Sequence, residues 1–246
     1  MAADSPHGGL QLALRHRTMF EALDLGTHLA WRESAGLLRV YGPVAAFVAI
    51  IALASGLISA WAPWLVVWLA KPWLDRVLLH FYARRVFAQP CSLSDVLTGP
   101  VLWSPRLWPQ LLWARLSPWR AMVQPVVQLE GLRGKALTAR TKVLLGGCRG
   151  AALMAQLAWA HLEAWLALAL LLTYHWADPF SPMGRVFQWV GDEGGTGPVV
   201  MFCFQVLAAL LLEPLSLAGG FMMYLNRRVT LESWDVEQEV RRAFSA

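Results

Sequence analysis

Residues 63–85, PWLVVWLAKPWLDRVLLHFYARR, are long and apolar enough to cross a bilayer, yet they carry charged side chains near their middle. As a helix that rises about 1.5 Å per residue, twenty-odd residues cover the roughly 30 Å of the hydrocarbon core. Lys71, Asp75 and Arg76 lie in the middle of that stretch. A charge at mid-depth costs about 2.5–3.5 kcal/mol on insertion scales, so these side chains must face protein or water and not lipid. The rest of the chain therefore has to supply helices that surround them.

The composition is that of a membrane protein. Hydrophobic residues make up 57% of the 246 residues and charged residues only 15%, against about 45–50% and about 25% in soluble domains. The sequence therefore predicts an all-α integral membrane protein, with a single membrane-embedded domain over residues 1–246. The net charge of +5 favours anionic lipid headgroups over nucleic acid as a partner, because the basic residues flank apolar segments.

Four apolar segments predict about four transmembrane helices, with interfacial amphipathic helices beside them. The segments are residues 43–60, 63–85, 151–172 and 199–225. The first two follow each other so closely that they must form an antiparallel hairpin. Gly56 and Ala60 predict a small-residue edge on the first of them, where another helix could pack closely. The domain is thus divided into an N-terminal amphipathic segment (1–42), a helical hairpin (43–82), a cytoplasmic interfacial region (83–150), a second helical pair (151–225) and a cytoplasmic tail (226–246).

An amphipathic helix is predicted before the first span. Thr18 and Glu21 have the spacing of a capping box, in which a hydroxyl and a carboxylate satisfy the first free amides of a helix. The apolar side of this helix consists of Phe20, Leu23, Thr27, Trp31 and Leu38. Such a helix is expected to lie along the membrane surface, and the alternative is a helix packed on the large loop.

A second amphipathic helix is predicted in the basic loop, from residue 126 to residue 145. Its apolar positions are Leu129, Leu132, Ala136 and Val143. The residues predicted to contact the lipid surface are Arg133, Lys135, Arg140 and Lys142. Aromatic and basic residues are interleaved along this loop, as is typical of interfacial segments. A solvated charged face on a packed helix is the alternative.

The distribution of basic residues predicts the orientation in the membrane. Residues 1–42 hold four Lys or Arg, residues 83–149 hold ten and residues 226–246 hold four, whereas the outer loops hold only Arg185. Because short cytoplasmic loops are enriched in Lys and Arg, both termini and the large loop are expected in the cytoplasm.

Five charged residues form a predicted intramembrane polar core: Lys71, Asp75, Arg76, Glu163 and Glu213. Counted from the outer end of each span, Lys71 matches Glu163 in depth, so the two are predicted to pair across helices. Arg76 is predicted to pair with Glu213 for the same reason, and Lys71 could also reach Asp75 within one helix. Two interpretations remain open, an ion-pair core that fixes the helix register and a proton or solute path. The balance of charge favours the structural one.

No catalytic residue, metal site or cofactor is predicted. The sequence lacks the motifs of zinc proteases, serine hydrolases, kinases and nucleotide-binding proteins. His161 and Glu163 are two residues apart, so on a helix they point away from each other, which is wrong for a shared metal ion. The three cysteines contain no CxxC pair and give no disulfide framework.

Four short motifs carry a resemblance to a known family: EALDLG at 21–26, KPWLDRVLLH at 71–80, EP at 213–214 and YLNRRVTLESWDVE at 224–237. They resemble a family of uncharacterised bacterial polytopic inner-membrane proteins, itself loosely similar to the membrane domain attached to some glycerophosphoryl diester phosphodiesterases. The resemblance implies a bacterial cytoplasmic membrane and a helical architecture. It implies no activity, because the catalytic barrel of such phosphodiesterases needs about 250 residues of its own.

The expected function is that of a non-enzymatic integral membrane component, a scaffold or assembly partner in the bacterial cytoplasmic membrane. Its expected partners are a bilayer with anionic headgroups and another membrane protein or a second copy of the chain. The alternative is a small transporter or channel subunit that uses the buried charges. A third, weaker option is a lipid-modifying enzyme at the cytoplasmic leaflet.

The acidic tail is predicted to dock on the basic segment at residues 133–149 or on the basic surface of a partner. The four acids Glu232, Asp235, Glu237 and Glu239 follow the last span closely, where anionic lipid would repel them. Trp234 and Val240 would then be buried in the contact. A freely moving tail is the alternative, because surface ion pairs contribute only about 0–1 kcal/mol each.

The four-span topology predicts the outcome of cysteine-accessibility labelling. A cysteine placed near Gly194 should react with a membrane-impermeant reagent from the outside. One placed near Gly134 should react only from the cytoplasmic side, since its loop holds most of the basic residues. Labelling of both positions from the same side would contradict the topology.

Overall fold

The computed structural model describes residues 17–98, 117–177, 185–192 and 195–232, and these ranges contain helices and no β-strand. The helices are α1 (Met19–Arg32), α2 (Ser34–Ser55), α3 (Ala62–Val86), α4 (Leu93–Thr98), α5 (Arg120–Gln128), α6 (Gly134–Leu144), α7 (Arg149–Trp176), α8 (Val186–Gly191) and α9 (Gly197–Glu232). The prediction of an all-α architecture is therefore confirmed for the described part of the chain.

Three of these helices, α2, α7 and α9, are long and apolar enough to cross a membrane. The remaining predicted span corresponds to α3, which has 25 residues. It is not among the three because charged residues interrupt its apolar sequence. The structure thus supports a membrane protein with three candidate spans, and the count of four stays a prediction.

The boundaries of the first span differ from the prediction. α2 begins at Ser34 and ends at Ser55, with Pro43 inside the helix. The predicted start at residue 43 followed from the uncharged run that begins there, whereas the helix itself begins nine residues earlier and includes Arg39. Gly56 and Ala60 lie in the turn between α2 and α3, so the small-residue packing edge predicted there is wrong.

The capping box predicted for α1 is present. The backbone amide of Thr18 donates to the Glu21 carboxylate at 2.7 Å, and the Glu21 amide donates to the Thr18 hydroxyl at 3.2 Å. α1 ends at Arg32, and Glu33 separates it from α2. Glu33 accepts a hydrogen bond at 2.6 Å from Nε of Arg85 near the end of α3. This ion pair fixes the junction of α1 and α2 against the hairpin.

The centre of the fold is α9, against which α1, α2, α3, α5 and α7 all pack. Every residue from 216 to 224 is buried. A helix that is apolar on all sides has to be surrounded, and here the surrounding elements are helices from both halves of the chain. α7 packs mainly on α9, and several of its large side chains, such as Trp165 and Trp176, stay exposed.

Small residues allow the helix backbones to touch around α9. A Cβ atom added to Gly26 of α1 would lie closer than 3.0 Å to the carbonyl oxygen of Ala218. A Cβ on Gly220 would come equally close to the backbone of Ala121 in α5. The buried side of α1 is formed by Ala22, Gly26, Leu29 and Ala30. Close backbone contact is the usual way to gain packing energy between helices in lipid.

The predicted apolar side of α1 is divided between core and surface. Leu23 packs on α9 beside Gly219, whereas Phe20 is 58% exposed and Trp31 is 71% exposed. α1 therefore has one small-residue side packed on the core and a second, aromatic side that stays uncovered. The prediction that this second side lies on a membrane surface is not tested by the packing.

Pro214 interrupts the backbone hydrogen bonds of α9. Because proline has no N–H, it cannot donate to the carbonyl of Leu210 one turn earlier. The Tyr41 hydroxyl of α2 donates to that carbonyl instead, at 3.0 Å. The Tyr82 hydroxyl of α3 donates to the carbonyl of Pro214, also at 3.0 Å. Both tyrosines are buried, so two neighbouring helices supply the hydrogen bonds at the break in α9.

Replacing Gly26 with alanine should destabilise the protein by about 1–3 kcal/mol, because the new methyl group would meet backbone atoms that cannot move aside. The melting temperature in detergent is the measurement. Gly150→Ala is the control: no atom lies within 4 Å of a Cβ there, and alanine is the better helix former by up to about 1 kcal/mol. A Gly26→Ala variant as stable as the wild type would contradict the backbone contact.

Candidate functional site

Lys71 of α3 is the first component of a buried ion cluster. Its ammonium nitrogen lies 3.1 Å from the Glu163 carboxylate of α7 and 2.8 Å from the Glu213 carboxylate of α9. The Lys71 side chain is 15% exposed and the Glu213 side chain 4%. The pair Lys71–Glu163, predicted from matched depth alone, is therefore present, and Glu213 is a second partner that was not assigned to Lys71.

The second cation of the cluster is Arg120, the first residue of α5. Its Nη2 donates to Glu213 at 2.8 Å, and its Nε lies 3.8 Å from the Asp75 carboxylate. Arg76 was predicted to pair with Glu213. That prediction is wrong, because the arginine that pairs with Glu213 is Arg120. Arg120 belongs to the basic loop in sequence, and α5 brings it inside only because Ala121 packs against Gly220. We name Lys71, Asp75, Arg120, Glu163 and Glu213 the ion cluster.

Arg76 lies beside the ion cluster in sequence and is buried as well. Its backbone carbonyl accepts a hydrogen bond at 3.0 Å from the side-chain amide of Gln128 in α5. α5 is thus joined to α3 at both of its ends, through Arg120 to Asp75 and through Gln128 to Arg76.

Opposite charges alternate within the ion cluster, in which three acidic residues face two basic ones. Lys71 contacts Glu163 and Glu213, and Arg120 contacts Glu213 and Asp75. One Asp75 oxygen, Oδ1, is buried and has no hydrogen-bond partner in the described part of the chain. Every member of the cluster is therefore in an ion pair, but the hydrogen bonds of Asp75 are not all satisfied.

A cavity of about 470 Å³ opens directly onto the ion cluster. α3, α7 and α9 form its walls, and Ser117, Pro118 and Arg120 close one side. Four members of the cluster line it: Lys71, Arg120, Glu163 and Glu213. Its remaining polar groups include Gln156, Gln205 and Ser216, and its aromatic lining is Trp64, Trp68 and Trp159. The cavity therefore combines both signs of charge with indole rings.

The part of the chain that the structure describes holds no group of three or more His, Cys, Asp and Glu side chains placed to bind a metal ion. The ion cluster itself mixes carboxylates with a lysine and an arginine, whose positive charges would repel a metal ion at the same place. Its chemistry suits recognition of a charged or zwitterionic group better than metal binding.

The basic segment forms two helices instead of the single helix predicted over residues 126–145. α5 ends at Gln128 and α6 begins at Gly134. Gly131 and Gly134 both have positive φ, 67° and 53°, a conformation that glycine adopts at little cost. The chain therefore turns between them. Leu129 and Val143, two of the predicted apolar positions, are exposed.

The predicted lipid-contacting residues fall into two groups. Arg133, Lys135 and Lys142 are exposed, and lipid contact stays a prediction for them. Arg140 instead binds Glu130 at 2.8 Å and also contacts Glu232 of α9. The hydrogen bonds that Arg140 donates to the two carboxylates raise its pKa above its ordinary value. Its charge is thus already compensated within the protein.

Further contacts hold α6 to the end of α9. The Tyr224 hydroxyl donates to Glu130 at 2.7 Å, and Arg228 pairs with Glu232 at 2.7 Å. Arg227 donates at 2.6 Å to the carbonyl of Gly146, just after α6. The prediction that acids after the last span dock on the basic segment is confirmed for Glu232 and Arg140. Asp235, Trp234 and Val240 lie outside the described residues.

Comparisons of the chain with protein-family models, with curated protein sequences and with solved structures found no match. The function has to be argued from the site itself, and the resemblance to inner-membrane proteins stays a prediction.

The pairing of Arg120 with Glu213 predicts a large coupling in a double-mutant cycle. Glu213→Gln or Arg120→Gln alone should cost about 3–5 kcal/mol, because each leaves a buried charge without its partner. The double variant should recover part of that loss. Melting in detergent with the four variants measures the coupling.

The control cycle uses Arg84 and Asp95, which form an ion pair at 3.0 Å with side chains 35% and 39% exposed. Their coupling should be much smaller than that of Arg120 and Glu213, because solvent screens an ion pair with side chains this exposed. Strictly additive losses at Arg120 and Glu213 would show that the two residues do not depend on each other.

Proposed function

We propose that this protein is a membrane-embedded component that binds, and moves across the membrane, a small charged or zwitterionic solute. The observation that carries the proposal is the cavity on the ion cluster. A purely structural ion-pair core needs no open space, whereas here about 470 Å³ is accessible beside four of the paired charges. Ionisable groups within a membrane commonly face such a cavity and mark a substrate path.

The lining of the cavity indicates the class of solute. Its volume lies within the usual range of about 300–1,000 Å³ for small-molecule sites. Lys71 and Arg120 can bind a carboxylate or a phosphate, and Glu163 can bind a cationic group. Trp64, Trp68 and Trp159 offer π faces that attract ammonium or guanidinium groups. A solute with both a positive and a negative group uses all of these features.

The proposal includes four crossings with both termini in the cytoplasm of a bacterium. The supporting argument is packing: α3 lies against α2 and against α9, both of which are apolar enough to span. An α3 packed along two spanning helices has to share their depth. The excess of basic residues in the terminal and central segments supports the orientation, and the motif resemblance supports the bacterial cytoplasmic membrane.

A scaffold is the second candidate function. The observation in its favour is the exposed surface of the interfacial helices, aromatic on α1 at Phe20 and Trp31 and basic on α6 at Arg133 and Lys135. Such surfaces suit contact with anionic headgroups or with a protein partner. This candidate requires no role for the cavity.

Thermal-shift measurements on the purified protein test the solute proposal. The probes are amino acids, betaine, choline, polyamines and small carboxylates at millimolar concentration. A zwitterionic probe at about 100 times its Kd should stabilise the protein by about 2.7 kcal/mol, which raises the melting temperature by roughly 5–10 °C. Lys71→Gln should remove the shift, and Arg84→Gln, which changes an exposed ion pair far from the cavity lining, should keep it.

The stabilising probe is then tested for uptake into proteoliposomes. Uptake by the wild type and none by Lys71→Gln is the expected result. If no probe shifts the melting temperature, and a stoichiometric protein partner is recovered from mild detergent, the scaffold is the better description.

A further inference from the structure

A second cavity, of about 440 Å³, lies on the other side of Arg120. Its walls come from α3, α5, α6 and the start of α7, and it shares Ser117 and Arg120 with the first cavity. It contains none of Lys71, Glu163 and Glu213. The residues that determine what this second cavity binds therefore differ from those of the proposed solute site.

One face of α6 supplies much of this second cavity. The residues are Leu137, Thr138, Thr141, Lys142 and Leu145, and their spacing of three and four places them on one side of a helix. Arg133 and Lys135, which lie near the start of α6, do not line the cavity. The basic residues of this segment therefore divide into those that face the cavity and those that do not.

The polar groups of the cavity are short of hydrogen-bond acceptors. Oγ1 of Thr141 and Nε of Arg120 are buried without a hydrogen-bond partner in the described part of the chain. Lys142 and Arg149 form no ion pair among the described residues. Arg149 lies over the ring of Trp119 at 5.9 Å, and its carbonyl accepts from the indole N–H at 3.1 Å. A hydroxyl and three cationic side chains thus line a space whose other side-chain acceptors are the Asp75 carboxylate and the neutral Ser117, Gln124 and Thr138.

A single carboxylate, Asp75, also lines the cavity. It lies 3.8 Å from Nε of Arg120, which offsets its charge. The charges of Asp75 and Arg120 offset each other, so Lys142 and Arg149 give the lining an excess of positive charge. The lining is therefore net positive, and an anionic group satisfies it best.

Apart from the neutral polar residues Ser117, Gln124 and Thr138, the rest of the lining is apolar, formed by Pro72, Trp119, Val123, Val127, Leu137 and Leu145. A free inorganic anion makes no use of such a surface, whereas an acyl chain does, at about 0.8 kcal/mol per buried CH₂. The geometry points to one occupant, an anionic phospholipid. Its phosphate lies among Lys142, Arg149 and Thr141, and the start of an acyl chain lies along the apolar wall.

Native mass spectrometry of the delipidated full-length protein in detergent tests this assignment. The probes are phosphatidylglycerol and phosphatidylcholine with the same acyl chains. One phosphatidylglycerol molecule should bind in preference to phosphatidylcholine. The double variant Lys142→Gln/Arg149→Gln should bind it about tenfold more weakly, since each charge-assisted hydrogen bond contributes about 1.5–3 kcal/mol and a tenfold change is about 1.4 kcal/mol.

The matched control is Arg133→Gln/Lys135→Gln, which removes the same charge from the same segment outside the cavity and should leave binding unchanged. Because Arg149 also packs on Trp119, Lys142→Gln alone is a second variant, with an expected loss of a few-fold. Thr141→Val keeps the side-chain shape, removes the hydroxyl and should also weaken binding.

Three results would overturn the assignment. Equal weakening by the two double variants would mean that the lipid responds only to the charge of the surface. Equal binding of the two lipids would remove the role of the anionic group. Displacement of phosphatidylglycerol by millimolar inorganic phosphate or glycerol 3-phosphate would assign the cavity to a soluble phosphate. None of these results bears on solute binding at Lys71.

Discussion

The cost of burying the carboxylate of Glu213 is the constraint on which the arrangement of this bundle depends. A charge removed from water costs several kcal/mol unless cations and hydrogen bonds replace the solvent. In this protein the cations come from two different elements, Lys71 from α3 and Arg120 from α5. Neither helix can move away from α9 without leaving a charge unpaired. Charge pairing thus holds α3 and α5 against α9, and close backbone packing holds α1 and α5 there.

Close packing and charge pairing meet on the same helix. The region of α9 that holds Glu213 and Pro214 is followed within two turns by Ala218, Gly219 and Gly220, where α1 and α5 touch the backbone. Because α5 touches α9 at Gly220, the Arg120 side chain at its start can reach Glu213. The small size of Gly220 therefore helps to make Arg120 a cation that neutralises Glu213.

The sequence predicted those features that depend on local pattern. The long helices, the capping box of Thr18 and Glu21, and the pair Lys71–Glu163 follow from apolar length, spacing and depth along a span. Features that depend on how distant segments meet were missed. Arg120 follows Pro118 and Trp119 in a basic, proline-rich loop, so it gave the signal of a headgroup-level residue. A better signal was available in the predicted core itself, where three acids outnumbered two cations.

Tyr41 and Tyr82 join the hairpin to the break in α9, at carbonyls that lie one turn apart. These two hydrogen bonds tie α2 and α3 to α9 at the position where its own hydrogen-bond pattern is interrupted. α7 packs mainly on α9, and within the described part of the chain no hydrogen bond of this kind joins α7 to Leu210 or Pro214. α7 is therefore the wall of the first cavity that is not held at this point, and it supplies Glu163 and Trp159. The Lys71–Glu163 ion pair links it to α3.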